Sequence, residues 1–287
     1  MNKLEIISEG KKFGVQKDNV ERIIQKISGL SKEELFLLDD ISITVNQFKK
    51  IKEDFRKLSF GYPFEYILES AEFYGLEFFV DKRCLIPRDD TEVMVDQCLK
   101  VIDKMEGEVE YIDVGTGSGA IPISVVSNTN KLNSTSLGLD ISPEALEVAS
   151  LNVDNYKLED KIVLIESNLL SVVFENKLYK KGSNLIITAN LPYIKEEDYG
   201  NMDKEVILHE PSLALYGGKK TGFEMYEKLI SEVSRIKQVG NVAQAVLFIE
   251  IGFDQKVIAK DFLDKQKLLY KIHCDNSGVD RCIEINF

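Results

Sequence analysis

The chain has 287 residues, enough for one large domain or two smaller ones, and its 44% hydrophobic content can form a sizeable core without covalent cross-links. The formal net charge of −12 argues against bare DNA or RNA as the sole partner, because neutralising phosphates requires a basic face. Four cysteines without a CxxC pair and only two histidines do not suit a zinc site. The first residues lack an apolar signal segment and no apolar run reaches the roughly 20 residues of a membrane span, so we expect a cytoplasmic protein.

The first part of the chain, residues 1–70, has the pattern of a small helical bundle. Phe48, Ile51 and Phe55 recur at helical spacing, so they share a face that a helix would bury. The following segment, residues 71–89, is rich in aromatic and β-branched residues. This change predicts a β-hairpin that links two domains.

Residues 90–287 alternate between strand and helix patterns. The strand patterns are VEYIDV, STSLGLD, KIVLIES, NLIITAN and QAVLFIEIG. A typical helix between them is SPEALEVASLNV, with Ser142 as its cap and Pro143 in its first turn. This alternation predicts an α/β domain with a parallel, doubly wound sheet, whose ligands bind at the carboxyl ends of the strands. The tail segments LLYKIHCD and RCIEINF predict an antiparallel hairpin at the edge of the sheet.

A glycine-rich turn, GTGSG, joins the first of these strands to the next helix. Gly115, Gly117 and Gly119 permit a tight turn and the close approach of a ligand. A plain strand-to-helix turn is one interpretation. A dinucleotide site is another, because GxGxxA also fits, and an S-adenosylmethionine site is a third. The turn alone does not choose among them.

Two acidic residues accompany this turn. Asp140 ends the next strand, where its carboxylate can accept hydrogen bonds from both hydroxyls of a ribose. It could instead cap the following helix, but Ser142 already fits that role. Asp113 precedes the glycines, and it either faces an ammonium group of the ligand or stabilises the turn as an Asx residue.

The segment Asn190-Leu191-Pro192-Tyr193 follows an apolar strand. A planar nitrogen is a poor nucleophile, and a site can help it by accepting both of its N–H groups. The Asn190 side-chain oxygen and the Leu191 carbonyl can do so, with Pro192 fixing the turn and Tyr193 stacking on the planar group. An ordinary strand-ending turn is the alternative. The position of the segment, two βα units after a glycine-rich turn, favours catalysis.

These motifs together resemble the release factor glutamine methyltransferases of the HemK/PrmC type over nearly the whole chain. The tract that starts at His209 is the most diagnostic, since other methyltransferases lack it. The matching segments are GYPFEYIL, AEFYGLEFFV, CLIPRDDTE, DVGTGSGAI, LDISPEALEVASLN, NLPYI, HEPSLALYGGKKTGFEMYEKLI, IEIGFDQ and DNSGVDR.

The resemblance implies a Rossmann-like class I methyltransferase domain over residues 90–287, with a seven-stranded, mostly parallel sheet and a C-terminal antiparallel hairpin. It implies that residues 1–70 dock a release factor and that the enzyme methylates the side-chain amide of the glutamine in the Gly-Gly-Gln motif of bacterial class 1 release factors. A monomer without metal, membrane or required nucleic acid is expected. The implied contacts to S-adenosyl-L-methionine are Asp113, Gly115, Thr116, Gly117, Ser118, Gly119, Asp140, Asn168, Leu169 and Asn190.

Three positions depart from that family's usual pattern. Leu191 stands where a proline is usual, Asn168 where an aspartate is common, and PRDDTE replaces PRPETE while keeping Arg88 and Glu92. Because rRNA adenine dimethyltransferases also use the spelling NLPY, an amino methyltransferase that acts on adenine or cytosine of RNA or DNA is an alternative. A non-catalytic cofactor-binding docking module is another. We expect His209 to be structural.

Overall fold

The computed structural model describes residues 2–38, 40–132, 134–198, 200 and 204–287, and the side chains of 204–206 are not included. The chain divides into two compact units. The helical unit comprises Met1–Ala71 and Asp203–His209, and the larger unit comprises Glu72–Met202 and Glu210–Phe287.

The elements follow one another along the chain as listed here by type. The helices are α1 (Lys3–Lys12), α2 (Lys17–Ser28), α3 (Lys32–Leu37), α4 (Val45–Ser59), α5 (Phe64–Leu68), α6 (Glu92–Lys104), α7 (Ala120–Ser127), α8 (Pro143–Asn155), α9 (Ser171–Asn176), α10 (Lys204–His209), α11 (Glu224–Val239) and α12 (Lys256–Gln266). The strands are β1 (Ala71–Phe73), β2 (Leu76–Phe78), β3 (Val109–Val114), β4 (Ser136–Asp140), β5 (Ile162–Glu166), β6 (Asn184–Ala189), β7 (Ile194–Lys195), β8 (Tyr216–Gly218), β9 (Gln244–Glu250), β10 (Leu269–Cys274) and β11 (Asp280–Asn286).

The helical unit has its own apolar core, to which α1, α2, α3, α4 and α5 all contribute. As the helical spacing predicts, Ile51 and Phe55 are completely buried and Phe48 packs against them. Helix α3 starts with a capping box in which the Ser31 hydroxyl accepts from the Glu34 N–H and the Glu34 carboxylate accepts from the Ser31 N–H. Burial and capping together stabilise helices that are short on their own.

The larger unit contains a seven-stranded sheet in the order β10-β11-β9-β6-β3-β4-β5. All pairs are parallel except those made by β11, which runs antiparallel to both β9 and β10. Helices α9, α11 and α12 cover one face, while α6, α7 and α8 contact the strands from the other. The predicted doubly wound α/β fold and its C-terminal hairpin are confirmed.

The strand order reverses at β3, because the chain next builds outward through β4 and β5 and then returns to place β6 on the other side. The carboxyl ends of β3, β4, β6 and β9 therefore meet at one edge, which is where open α/β sheets bind ligands. The hairpin β1–β2 is a separate two-stranded sheet. Its continuation is held to α8, since the Asn152 side chain bonds both the N–H and the carbonyl of Phe79.

In the described part of the chain, no helix combines the length and the apolar character that crossing a membrane requires.

Candidate active site

A cavity of about 470 Å³ opens at the carboxyl edge of the sheet, at the point where the strand order reverses. Its wall combines the turn after β3, the end of β4, the corner after β5 and the turn after β6. Of the residues expected from the sequence, the wall includes Gly115, Thr116, Gly117, Ser118, Asp140, Asn168, Leu169, Asn190, Leu191 and Pro192. Most of the predicted site is thus brought together in one cavity.

The glycine-rich turn leaves β3 with an unusual backbone. Gly115, Gly117 and Gly119 have φ angles of +75°, +55° and +80°, which L side chains rarely adopt. A side chain on Gly117 would meet no atom within 4 Å, so this part of the turn presents bare backbone. Thr116 and Ser118 are buried between the glycines. The turn can therefore admit a ligand close to its main chain.

Asp140 ties this turn to the end of β4. Its Oδ2 accepts from the Gly117 N–H at 2.8 Å, and its Oδ1 accepts from the Ser142 N–H at 2.9 Å. Burial raises the pKa of Asp140, and these backbone donors oppose the rise. Each carboxylate oxygen keeps a further lone pair for a ligand hydroxyl. Ser142 caps α8 by accepting from the Ala145 N–H, as expected.

The expected placement of Asp113 beside a ligand needs correction. Its side chain is completely buried and is not part of the cavity wall, because alternation along β3 turns Val114 toward the cavity and Asp113 toward the opposite face of the sheet. Oδ1 accepts from the Thr188 hydroxyl at 2.6 Å. Burial raises the pKa of Asp113 to about 7, against the hydrogen bonds of Thr188 and Thr116.

The corner after β5 carries Asn168 and Leu169 in the cavity wall. Leu169 has φ of +52°, and the Ser167 hydroxyl donates to its carbonyl at 2.8 Å, which holds the corner. The side-chain oxygen of the exposed Asn168 accepts from the Lys228 ammonium at 3.2 Å. That oxygen has a second lone pair, so Asn168 can accept from Lys228 and from a ligand together.

The turn after β6 places Asn190, Leu191 and Pro192 in the wall. Leu191 is buried, and a Cβ on Gly115 would lie 2.9 Å from its side chain. The fully buried Tyr226 hydroxyl accepts from the Leu191 N–H at 2.9 Å and donates to the Leu191 carbonyl at 3.2 Å. A proline here would have no N–H, so Tyr226 satisfies the extra buried donor that Leu191 introduces.

The YGG segment packs directly on this turn. β8 pairs with β7, and the Ile194 N–H donates to the Leu215 carbonyl at 3.1 Å. A Cβ on Gly217 would lie 2.5 Å from the Pro192 carbonyl oxygen, and one on Gly222 would lie 2.0 Å from the Tyr193 carbonyl oxygen. Only glycine allows this approach, so the tract following His209 can pack directly on the Asn-Leu-Pro-Tyr turn.

Tyr193 is partly buried and is not among the residues of the cavity wall. Its ring packs close to Gly252, beyond the end of β9, and its carbonyl accepts from the Gln255 amide at 3.0 Å. Burial raises the pKa of its hydroxyl to about 12, so the ring stays neutral. Stacking of Tyr193 on the acceptor group stays a prediction.

Thr91 and Glu250 were not identified from the sequence as site residues. In the cavity wall, the Asn190 amide donates to the Thr91 hydroxyl at 3.2 Å, and this hydroxyl donates at 2.5 Å to Oε2 of Glu250, which is not part of the wall. Burial raises the pKa of Glu250 to about 7. The sequence signal for Glu250 was an acidic residue directly after the apolar run AVLFI.

The PRDDTE segment supports the wall as well. Arg88 lines the cavity and forms an ion pair with the buried Glu210. Glu92 instead accepts from the Tyr74 N–H at 2.7 Å, so it holds the turn of the β1–β2 hairpin. His209 lies in the helical unit, where its ring meets that of Tyr62 edge-on at 5.0 Å between centroids. This packing accords with a structural role.

Comparisons with known proteins bear on the fold and the family. The N-terminal domain of human METTL16 in complex with SAH has a TM-score of 0.51 to this chain, with 14% identity over 74% of this chain and 76% of that one. Residues 92–191 match the family model described as Ribosomal protein L11 methyltransferase (PrmA). The chain therefore has the class I methyltransferase fold.

The relatives identify the family. The release factor glutamine methyltransferase of Enterococcus faecalis is 35% identical over 81% of this chain and 79% of its own length. That of Mycoplasma mycoides is 34% identical over 90% of this chain and 88% of its own length. The chain belongs to the release factor glutamine methyltransferase family, and it is an enzyme that transfers methyl groups.

Proposed function

We propose that this enzyme methylates the side-chain amide nitrogen of the glutamine in the Gly-Gly-Gln motif of bacterial class 1 peptide release factors, with S-adenosyl-L-methionine as donor. One observation carries the proposal: the Asn-Leu-Pro-Tyr turn and the glycine-rich turn with Asp140 line the same cavity. Methyl acceptor and methyl donor can therefore meet there. Membership of the family supports the choice of acceptor.

The cavity residues fit this cofactor. Gly117 presents backbone without a side chain, Asp140 keeps lone pairs for ribose hydroxyls, and Asn168 with Leu169 forms an edge suited to a purine. When bound, S-adenosyl-L-methionine supplies a methyl group already activated by its sulfonium charge. The glycine-rich turn, Asp140 and the corner after β5 would hold this cofactor in the cavity that Asn190 also lines.

The turn after β6 would act on the acceptor. The Asn190 side-chain oxygen accepts one N–H of the glutamine amide and the Leu191 carbonyl accepts the other, which fixes the nitrogen and raises its electron density. Tyr226 holds the Leu191 peptide in place from behind. The new N–C bond would form as the sulfur–methyl bond of the donor breaks and leaves a neutral thioether, and one amide proton would then be lost to solvent, so no general base is required.

The helical unit would dock the release factor, and the enzyme would act as a monomer in the cytoplasm, where translation ends. Large apolar side chains of this unit are exposed, among them Phe36 at 83%, Leu37 at 79% and Phe60 at 72%. They offer apolar area to a protein partner. The net charge of −12 favours a protein over a polynucleotide, so no direct nucleic acid contact is required.

The test is transfer of labelled methyl from S-adenosyl-L-methionine to purified release factor, beside a Gly-Gly-Gln→Gly-Gly-Ala factor and bare ribosomal RNA. We expect label on the normal factor alone. Asn190→Ala should lower turnover at least 100-fold with cofactor affinity almost unchanged. The matched control, Asn176→Ala on the exposed end of α9, should keep full turnover. Label on RNA would refute the proposed acceptor, and partner binding without any label would favour a docking module.

A further inference from the structure

The Asn190 carboxamide has a buried polar support. Its amide nitrogen donates to Thr91 Oγ1 at 3.2 Å, and Thr91 Oγ1 donates to Glu250 Oε2 at 2.5 Å. Thr91 and Glu250 are each 3% exposed. Three separate segments thus converge at this side of the cavity, namely the residue before α6, the turn after β6 and the end of β9, and Thr91 itself lines the cavity beside Asn190.

The direction of these bonds follows from the carboxylate. An ionised carboxylate only accepts hydrogen bonds, so the single hydroxyl hydrogen of Thr91 must point to Glu250. Thr91 Oγ1 then offers only lone pairs to Asn190, and it can be satisfied by the amide NH₂ but not by the amide oxygen. The NH₂ end of Asn190 is therefore held toward Thr91, and the oxygen end is left for the methyl acceptor.

We propose that Glu250 is a positioning residue, which acts through Thr91 to fix the end of the Asn190 carboxamide that faces the acceptor. The inference rests on the proposed function, since only an acceptor with N–H groups needs the oxygen end. A reversed carboxamide would present a donor to the glutamine N–H groups, and the hydrogen bond that positions the glutamine amide would be lost.

The charge on Glu250 is adjustable near neutral pH. Burial raises its pKa to about 7, against the opposing effects of Thr91, Arg281 and Asn190. A protonated Glu250 can donate to Thr91, which frees the Thr91 hydrogen for Asn190 and permits the reversed carboxamide. The other titratable or charged groups that face Glu250 are Arg281 and Cys282 of β11, Asp90 before α6, Tyr193 and Tyr226.

Arg281 and Asp90 form an ion pair at 2.8 Å, so their charges offset one another. Burial raises the pKa of Tyr193 and Tyr226, and of the Cys282 thiol, so all three are neutral when Glu250 titrates. Glu250 is therefore the group of this set that changes charge near pH 7. Turnover should rise as the pH increases through about 7.

The experiment compares Glu250→Gln with wild type between about pH 5.5 and 8.5. At pH 8 we expect kcat to fall about 10- to 100-fold, with the KM for S-adenosyl-L-methionine unchanged and the rise in kcat with pH abolished. Glu284→Gln is the matched control, because Glu284 is also a buried strand carboxylate, bonded to Lys271 and His273 instead. It should retain wild-type kcat and pH dependence. Asp113→Asn should also retain the pH dependence.

A kcat of Glu250→Gln that matches Glu284→Gln, together with an unchanged pH profile, would overturn the inference. Absence of label with wild type would instead refute the proposed function. The side-chain amide NMR signals of Asn190 then decide the inference alone, measured in the full-length chain and assigned with Asn190→Asp. They should shift with an inflection near pH 7 in wild type and not in Glu250→Gln. A wild-type signal without inflection would overturn it.

Discussion

Tyr226→Phe tests how the departure at Leu191 is accommodated. The change keeps the ring but removes the hydroxyl that accepts from the Leu191 N–H at 2.9 Å and donates to its carbonyl at 3.2 Å. Tyr226 is 0% exposed, and the space left by one oxygen is too small for water, so the N–H stays unsatisfied. A buried donor without partner costs about 1–3 kcal/mol. We expect the free energy of unfolding to fall by about 2 kcal/mol.

Leu191→Pro isolates this effect, because proline has no N–H to satisfy. In the Leu191→Pro background, Tyr226→Phe should cost about 1–2 kcal/mol less than in wild type. Urea denaturation followed by circular dichroism measures all four proteins of the cycle. Tyr111→Phe is the matched control, since that buried hydroxyl bonds Thr188 and should be additive with Leu191→Pro. Additivity of Tyr226→Phe within about 0.5 kcal/mol would refute the reasoning.

Three further outcomes are expected. Gly222→Ala should abolish methyl transfer, because its Cβ would lie 2.0 Å from the carbonyl oxygen of Tyr193 in the Asn-Leu-Pro-Tyr turn. Gly278→Ala should stay active, because Gly278 also has a positive φ but lies in open space. Asp140→Asn should weaken S-adenosyl-L-methionine binding about 10-fold in calorimetry, through loss of a charged acceptor. The free energy of unfolding should fall as the pH rises from about 5 to about 7.5, since Asp113 and Glu250 have pKa values raised to about 7 and the folded state binds more protons there.

Each of these outcomes has a result that contradicts it. Full turnover by Gly222→Ala would mean that the turn tolerates displacement. Unchanged binding by Asp140→Asn, at a level shared with the exposed Asp160→Asn, would remove the ribose assignment. Thermal unfolding with the same pH slope in wild type and in an Asp113→Asn, Glu250→Gln double variant would show that other groups set the slope.

Local patterns were sufficient to predict the fold. Apolar runs bounded by glycine, proline or caps predicted the five parallel strands of the seven-stranded sheet, because a strand covered by helices on both faces is largely apolar. Because these runs are apolar on both faces, they do not indicate toward which face of the sheet each side chain points. Asp113 was expected in the cavity because it precedes the glycines, but alternation along β3 turns it to the other face, toward Thr188.

The residues that support the Asn-Leu-Pro-Tyr turn could not be predicted for a related reason. Thr91, Glu250 and Tyr226 act through contacts between elements that are distant in the chain, and no spacing rule connects them. The glycines of the YGG segment could be recognised in the sequence, but the reason that glycine is required there is the backbone of Pro192 and Tyr193, which lies against them. A turn motif predicts which polar atoms the turn exposes to a ligand. The residues that hold the turn in place depend on how distant elements pack.

The hydrogen bonds that support Asn190 join residues very far apart in sequence, 99 positions for Asn190 to Thr91 and 159 for Thr91 to Glu250. Such contacts can form only when β6 and β9 have paired, so we expect them to form after the rate-limiting step of folding. Changes at Thr91 or Glu250 would then leave the folding rate nearly constant and act on the unfolding rate. The polar network that supports the Asn-Leu-Pro-Tyr turn would thereby set how long a folded molecule persists, and not how quickly it folds.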